Sequence, residues 1–166
     1  GVSYANLKGL YFYQNSITNR AKFDVIYDNG NTQRTNLFVE LNYAQSNVIR
    51  MLLRGDYFNY STDQLLEAYH RPAYILNFNS NFNIYKKLLV NIDFITQGGI
   101  KAYDVETSRV VELKPALDLN VKVDYYVSKQ FSVFLKLNNL LSNQYQVYLN
   151  YPVRGFQAMG GISWSF

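Results

Sequence analysis

Between Leu117 and Tyr125 apolar and polar residues alternate without a break. Leu117, Leu119, Val121, Val123 and Tyr125 fall on one side of an extended chain, and Asp118, Asn120, Lys122 and Asp124 on the other. The same period of two recurs along the chain. It sets Leu37, Val39, Leu41 and Tyr43 against Asn36, Glu40 and Asn42, and Ile49, Met51, Leu53, Gly55 and Tyr57 against Arg50, Arg54 and Asp56. Tyr74, Leu76, Phe78, Phe82 and Ile84 oppose Asn77, Asn79, Asn81 and Asn83; Leu88, Val90, Ile92 and Phe94 oppose Asn91, Asp93 and Gln97. Phe131, Val133, Leu135 and Leu137 continue the pattern, and Phe156, Ala158, Gly160, Ile162, Trp164 and Phe166 end it against Gln157, Met159, Gly161, Ser163 and Ser165. Two further strands are expected at the start. Ser3 to Tyr13 sets Ala5, Leu7, Gly9, Tyr11 and Tyr13 against Asn6 and Lys8, and Arg20 to Tyr27 sets Ala21, Phe23, Val25 and Tyr27 against Lys22 and Asp24. Asn29-Gly30 then signals a hairpin, because both residues tolerate positive φ. One helical turn is expected at Asp63 to Ala68.

These are about nine strands near ten residues long, the length a tilted strand needs to cross a bilayer. The connections alternate: short at Ala44–Asn47, Tyr85–Lys86 and Val127–Gln130, long at Tyr60–Arg71, Gly98–Lys114 and Asn138–Gly155. Short turns at one end and long loops at the other are the habit of outer-membrane barrels, and only the Asn29-Gly30 hairpin departs from it. The pattern predicts an all-β, antiparallel up-and-down transmembrane β-barrel with about eight to ten strands here. Single-chain bacterial barrels close on an even number, so an odd count predicts that residues 1–166 form one segment, the C-terminal wall of a larger barrel.

Composition sharpens this picture. Aromatic residues make up 17% of the 166, with 16 Tyr and 11 Phe, and Tyr suits a membrane interface. Hydrophobic content is 48%, but it is so interleaved with polar residues that no run approaches the ~18 of a membrane-spanning helix. With no cysteine, neither a disulfide nor a thiolate metal site can form. The net charge of +4 comes from Lys and Arg scattered singly, which leaves no nucleic-acid footprint. The chain starts at Gly1 without a leader, which fits a mature form or a piece of a longer chain, and the strand count favours the piece.

No catalytic set is evident. His70 is the only histidine and reads as structural, no phosphate loop precedes a helix, and no cofactor or metal spacing occurs. The polar faces are better candidates: Arg50, Arg54, Asp56, Asn77, Asn79, Asn81, Asn83, Asp118, Lys122 and Asp124 are expected to line a watery lumen, holding a plug or selecting a solute. Four asparagines in register would be costly in a dry core. In the outer loops Tyr145, Tyr148, Tyr151 and Arg154 are candidate ligand contacts, since loops vary without disturbing the wall.

The end of the chain resembles a known family. Gly161-Ile162-Ser163-Trp164-Ser165-Phe166 is similar to the C-terminal signal of bacterial outer-membrane barrels, with Gly161, Trp164 and Phe166 as its marks within a targeting strand over 156–166. Leu137-Asn138-Asn139-Leu140-Leu141-Ser142-Asn143-Gln144-Tyr145, followed by Tyr151-Pro152-Val153-Arg154-Gly155, resembles the end of TonB-dependent receptors, particularly Bacteroidetes-type ones. It departs from them in placing Arg154 before the glycine, where many relatives have Gly-Arg. The resemblance implies a bacterial outer-membrane location and import of a scarce nutrient such as a metal chelate, cobalamin, glycan or peptide. It also implies membrane lipid, the barrel-assembly machinery, the TonB complex and a surface lipoprotein as partners. Two alternatives remain open at this point, a passive porin-like or small complete barrel, and a soluble or periplasmic β-barrel or sandwich that buries the Leu117 to Tyr125 face against protein.

Overall fold

A computed structural model describes residues 1–19 and 22–166. Eight strands form one antiparallel sheet: β1 (Val2–Lys8), β4 (Asn31–Gln45), β5 (Ile49–Ser61), β6 (Tyr74–Ile84), β7 (Leu88–Gly98), β10 (Ala116–Tyr126), β11 (Phe131–Asn138) and β14 (Gln157–Trp164), in that spatial order. Three two-stranded ribbons sit in the long connections: β2 (Tyr11–Asn15) with β3 (Phe23–Tyr27), β8 (Lys101–Asp104) with β9 (Arg109–Glu112), and β12 (Gln146–Tyr148) with β13 (Tyr151–Pro152). The sheet is an open wall. β1 and β14 are its two edges, so the barrel expected from the sequence is not closed by these strands.

The nine expected strands become eight for a definite reason. Gly9, at φ 61, takes the chain out of the sheet after Lys8, and the Tyr11 to Asn15 stretch pairs with β3 instead of prolonging β1. β4 then pairs with β1 directly, so Asn29-Gly30 is no hairpin. Gly30 is needed for room: a Cβ there would collide with the Asp63 side chain. Every wall connection now obeys the alternation, with turns at 46–48, 85–87 and 127–130 at one end and connections 9–30, 62–73, 99–115 and 139–156 at the other. The helical turn expected at Asp63 to Ala68 does not form; the segment is a series of bends whose first amides, of Asp63 and Gln64, donate to the Asp28 carboxylate. Ala21, assigned to the second expected strand, lies outside the described residues.

The ladders fix the faces. Directly opposed residues share a side of the sheet, so the pairings of Leu37 with Tyr57, Leu53 with Phe78, Phe94 with Leu119 and Val123 with Leu135 build one apolar face. β1 corrects the sequence reading: Val2 opposes Leu37 and Tyr4 opposes Thr35, so Val2 and Tyr4 join the apolar face while Ala5 and Leu7 point the other way. Among the described residues no second layer covers the apolar face. Val39 is 65% and Ile162 73% exposed, and the total accessible surface is 10954 Å², against about 8,500 Å² for a compact monomer of this mass. The sandwich alternative requires that face to be covered, and it is not.

Apart from Ala116 at the loop end of β10, the buried apolar residues lie elsewhere. Phe12, Tyr69, Ile100, Ala102 and Leu113 belong to the long connections, where Ile100, Ala102 and Leu113 pack with Val111, Val147 and Leu149. The loops have the hydrophobic core that the wall lacks.

Candidate functional site

All ten polar-face candidates do share one face. Arg50 opposes Asn81, Arg54 opposes Asn77, Asn79 opposes Asp93, and Asp93 in turn opposes Asn120 between Asp118 and Lys122. They divide into two chemistries. On β4 and β5 Glu40, Arg54 and Asp56 spend their charges on one another: Arg54 forks onto Asp56, Nε to Oδ2 at 2.8 Å and Nη2 to Oδ1 at 3.0 Å, and reaches Glu40 at 3.4 Å while lying 5.0 Å from the Phe38 ring centre. Asn36 Nδ2 donates to Asp56 Oδ1 at 3.1 Å, which satisfies a carboxylate that is almost fully buried. Lys122 similarly holds Asp124 at 2.9 Å. The asparagine row is different. Asn79 donates to Asp93 at 2.7 Å, but Asn81 and Asn83 line an open hollow of about 510 Å³ with Arg50 and Asn91, offering amide donors and acceptors to whatever fills it.

Above the wall, the four long connections are tied together at His70, which is buried and held at φ 57. Its amide donates to Lys101 O at 2.8 Å, Nδ1 lies 2.7 Å from Tyr13 O, and the Leu149 amide donates to Nε2 at 3.3 Å. Since Nε2 accepts, Nδ1 carries the proton and the ring is neutral. Burial holds its pKa below the ordinary histidine value, outweighing the Tyr13 carbonyl, which acts the other way. Around the imidazole stand Phe23 at 5.8 Å and Tyr148 at 5.1 Å between ring centres, and Phe23 also meets Tyr151 at 5.0 Å.

A second tie is Asp28, fully buried. It accepts from Thr32 Oγ1 at 2.5 Å and from the amides of Asp63 and Gln64 at 3.0 and 2.8 Å, joining connection 9–30 to connection 62–73. Burial pushes its pKa up, but these hydrogen bonds together outweigh that and hold it below the usual carboxylate value.

The loop candidates separate. Tyr148 and Tyr151 enter the aromatic cluster. Tyr145 turns to the wall and donates to Asp118 Oδ2 at 3.1 Å; burial and then that carboxylate raise its pKa, so the phenol keeps its proton. Arg154 stands apart with an exposed side chain, and only its carbonyl is engaged, by Asn139 Nδ2 at 2.9 Å. That bond explains the Asn139-Leu140 step. Asn139 is buried at φ 47, its Nδ2 also reaches Asn143 O, its Oδ1 accepts from the Asn143 amide, and its own amide donates to Asn120 on the wall. In the last strand Gly161 lies beneath Phe134, whose ring would be 2.5 Å from a Cβ there, and Trp164 packs on Phe131 at 5.7 Å.

Solved structures share this arrangement of strands. The pyoverdine outer membrane receptor FpvA from Pseudomonas aeruginosa, bound to pyoverdine, superposes with a TM-score of 0.73 at 13% identity, over 99% of this chain and 27% of that one. The chain shares its fold with about a quarter of that receptor. The siderophore receptor PiuA from Acinetobacter baumannii matches with a TM-score of 0.69 at 13% identity, over 97% of this chain and 25% of its own. The FpvAI–pyocin S2 complex matches at 0.71 and 13%, over 99% and 25%. This chain therefore spans about a quarter of the length of the receptors it resembles. No protein-family profile matches it, and no curated protein matches it in sequence.

His70, Asp28, Tyr13 and Phe23 were not singled out as site residues from the sequence. Their importance comes from contacts between separate connections. For His70, isolation as the only histidine was the one available signal.

Proposed function

We propose that this chain forms part of the wall of an outer-membrane nutrient receptor of the TonB-dependent kind, with the apolar face in lipid, the polar face toward the lumen, and the tied connections outside the cell. The observation that carries this is the division of one sheet into an uncovered apolar face and an amide-rich face, on a fold shared with siderophore receptors. In lipid every backbone group needs a partner, so the unpaired edges of β1 and β14 call for further strands to close the ring. The Bacteroidetes-type assignment rests on the C-terminal motif alone, and so do assembly through the last strand and energy from the TonB complex. Arg50 and the asparagine row would face a plug or the solute in transit, and Tyr148 and Tyr151 an arriving ligand.

Residues 1–166 carry no cysteine, so a thiol introduced here is read against the unsubstituted protein as the blank. Single substitutions Leu119→Cys and Asn120→Cys in the intact protein, expressed in a Gram-negative host, are probed in isolated outer membranes with a water-soluble maleimide. Neighbouring residues on opposite faces should react oppositely, Asn120→Cys readily and Leu119→Cys only after detergent extraction. Equal labelling of both in the membrane, or a protein absent from the outer-membrane fraction, would overturn the reading.

A further inference from the structure

Among the described residues two arginines at the loop end of the polar face have no carboxylate, although Arg54, Lys101 and Lys122 each hold one. Arg34 lies directly opposite Tyr60 in the β4–β5 ladder, and its Nε is buried without an acceptor. Arg71, on connection 62–73, packs its guanidinium 5.8 Å from the centre of the Phe12 ring. With Tyr60 it lines a cleft of about 210 Å³. Tyr60 thus adjoins both arginines, Arg34 across the ladder and Arg71 in the cleft. Glu67 and Lys101 share that cleft, but they are bound to each other at 2.5 Å.

A guanidinium stays charged and presents a planar fork of donors matched to carboxylate or phosphate. Two such groups beside one tyrosine favour an anion between them, and a buried donor without an acceptor is costly. We propose that Arg34, Tyr60 and Arg71 form a binding site for an oxyanion, a carboxylate or phosphate group carried by the solute. The site rests on the reading of this face as lumen. It adds that the solute arrives as an anion. One guanidinium takes each side of the anion, the Tyr60 hydroxyl donates a third bond, and Arg34 Nε gains its acceptor. The Phe12 ring backs Arg71 and keeps its fork turned to the cleft.

The test uses the intact protein from whichever fraction holds it folded, membrane or buffer, so that failure of the location and failure of the site are told apart. Phenylglyoxal modification of each arginine is followed by peptide mass spectrometry, with malonate or inorganic phosphate present, against chloride at equal ionic strength. Expected is slowing on the order of tenfold at Arg34 and Arg71 by one probe or both, with none at exposed Arg109. The stronger probe identifies the group as carboxylate or phosphate. Arg71→Gln should abolish the protection of Arg34, and Tyr60→Phe should weaken it. If Arg34 and Arg71 are slowed no more than Arg109, or if Arg34 stays protected in Arg71→Gln, the site does not exist.

Discussion

The backbone amide of Leu149 donates to Nε2 of His70 across 79 residues of sequence, at 3.3 Å. With Nδ1 donating to Tyr13 O, the ring bridges two connections only while it is neutral. Protonation would put a second N–H where the Leu149 amide points. The folded pKa lies below the ordinary 6.5, so the unfolded chain binds the proton more readily. The stabilisation is therefore complete above about pH 6.5 and is lost as pH falls from there through the folded value. The protection of the amides of residues 139–156, read by hydrogen exchange against the intrinsic rate at each pH, should fall between about pH 7.5 and 5.5. His70→Phe should exchange faster at both pH values and lose this dependence.

Asp28 gives a second acid response at lower pH. Its folded pKa is below 3.8, so its contribution is present above that value and is lost as pH falls through the folded one. Asp28→Asn removes the charge and turns an amide N–H₂ toward the donors at Thr32, Asp63 or Gln64. It should cost about 1–3 kcal/mol, read as faster proteolysis within 62–73 while the wall stays intact.

Gly161 and Gly160 predict opposite outcomes at adjacent positions. Gly161→Ala drives a methyl group into the Phe134 ring and should cost about 1–3 kcal/mol. At Gly160 the nearest atom to an added Cβ is Phe134 O at 3.5 Å, so Gly160→Ala should be nearly neutral. Heat-modifiable gel mobility of the folded protein measures both, and Gly161→Ala with Phe134→Leu should recover part of the loss.

The two faces can be told apart by charge. Val121→Arg places a cation in the middle of the apolar face and should cost about 2–4 kcal/mol in a bilayer. Asn91→Arg, next to the Val121 partner Ile92 but on the polar face, should cost little, because Asn91 borders the open hollow there. Urea titration in lipid vesicles reads the difference, and equal costs would mean that the faces are wrongly assigned.

The wall was legible in the sequence from β4 onward because a period of two reports a strand and its faces together. Leu117 to Tyr125 needed no partner to be read. The first thirty residues were not legible, because alternation does not say which strand is the partner: Tyr11 and Tyr13 continue the period of Ala5 and Leu7, yet pair with β3. Asn29-Gly30 carried a turn signal, while the need for Gly30 comes from Asp63, 33 residues later. The candidate anion site was hidden for a similar reason. Arg34 lies in the polar run Asn31 to Asn36, where alternation is silent, and Arg71 reaches Phe12 only through the folding of two separate connections.

Placing the hydrophobic core in the connections has a consequence for the order of assembly. Each wall strand pairs with the next wall strand in sequence, so the sheet can zip together hairpin by hairpin at low entropic cost. The Asn15 to Leu149 hydrogen bond spans 134 residues and can close only when every intervening strand is in place. The crown is thus the last part to set, and it records that the wall beneath it was built in register.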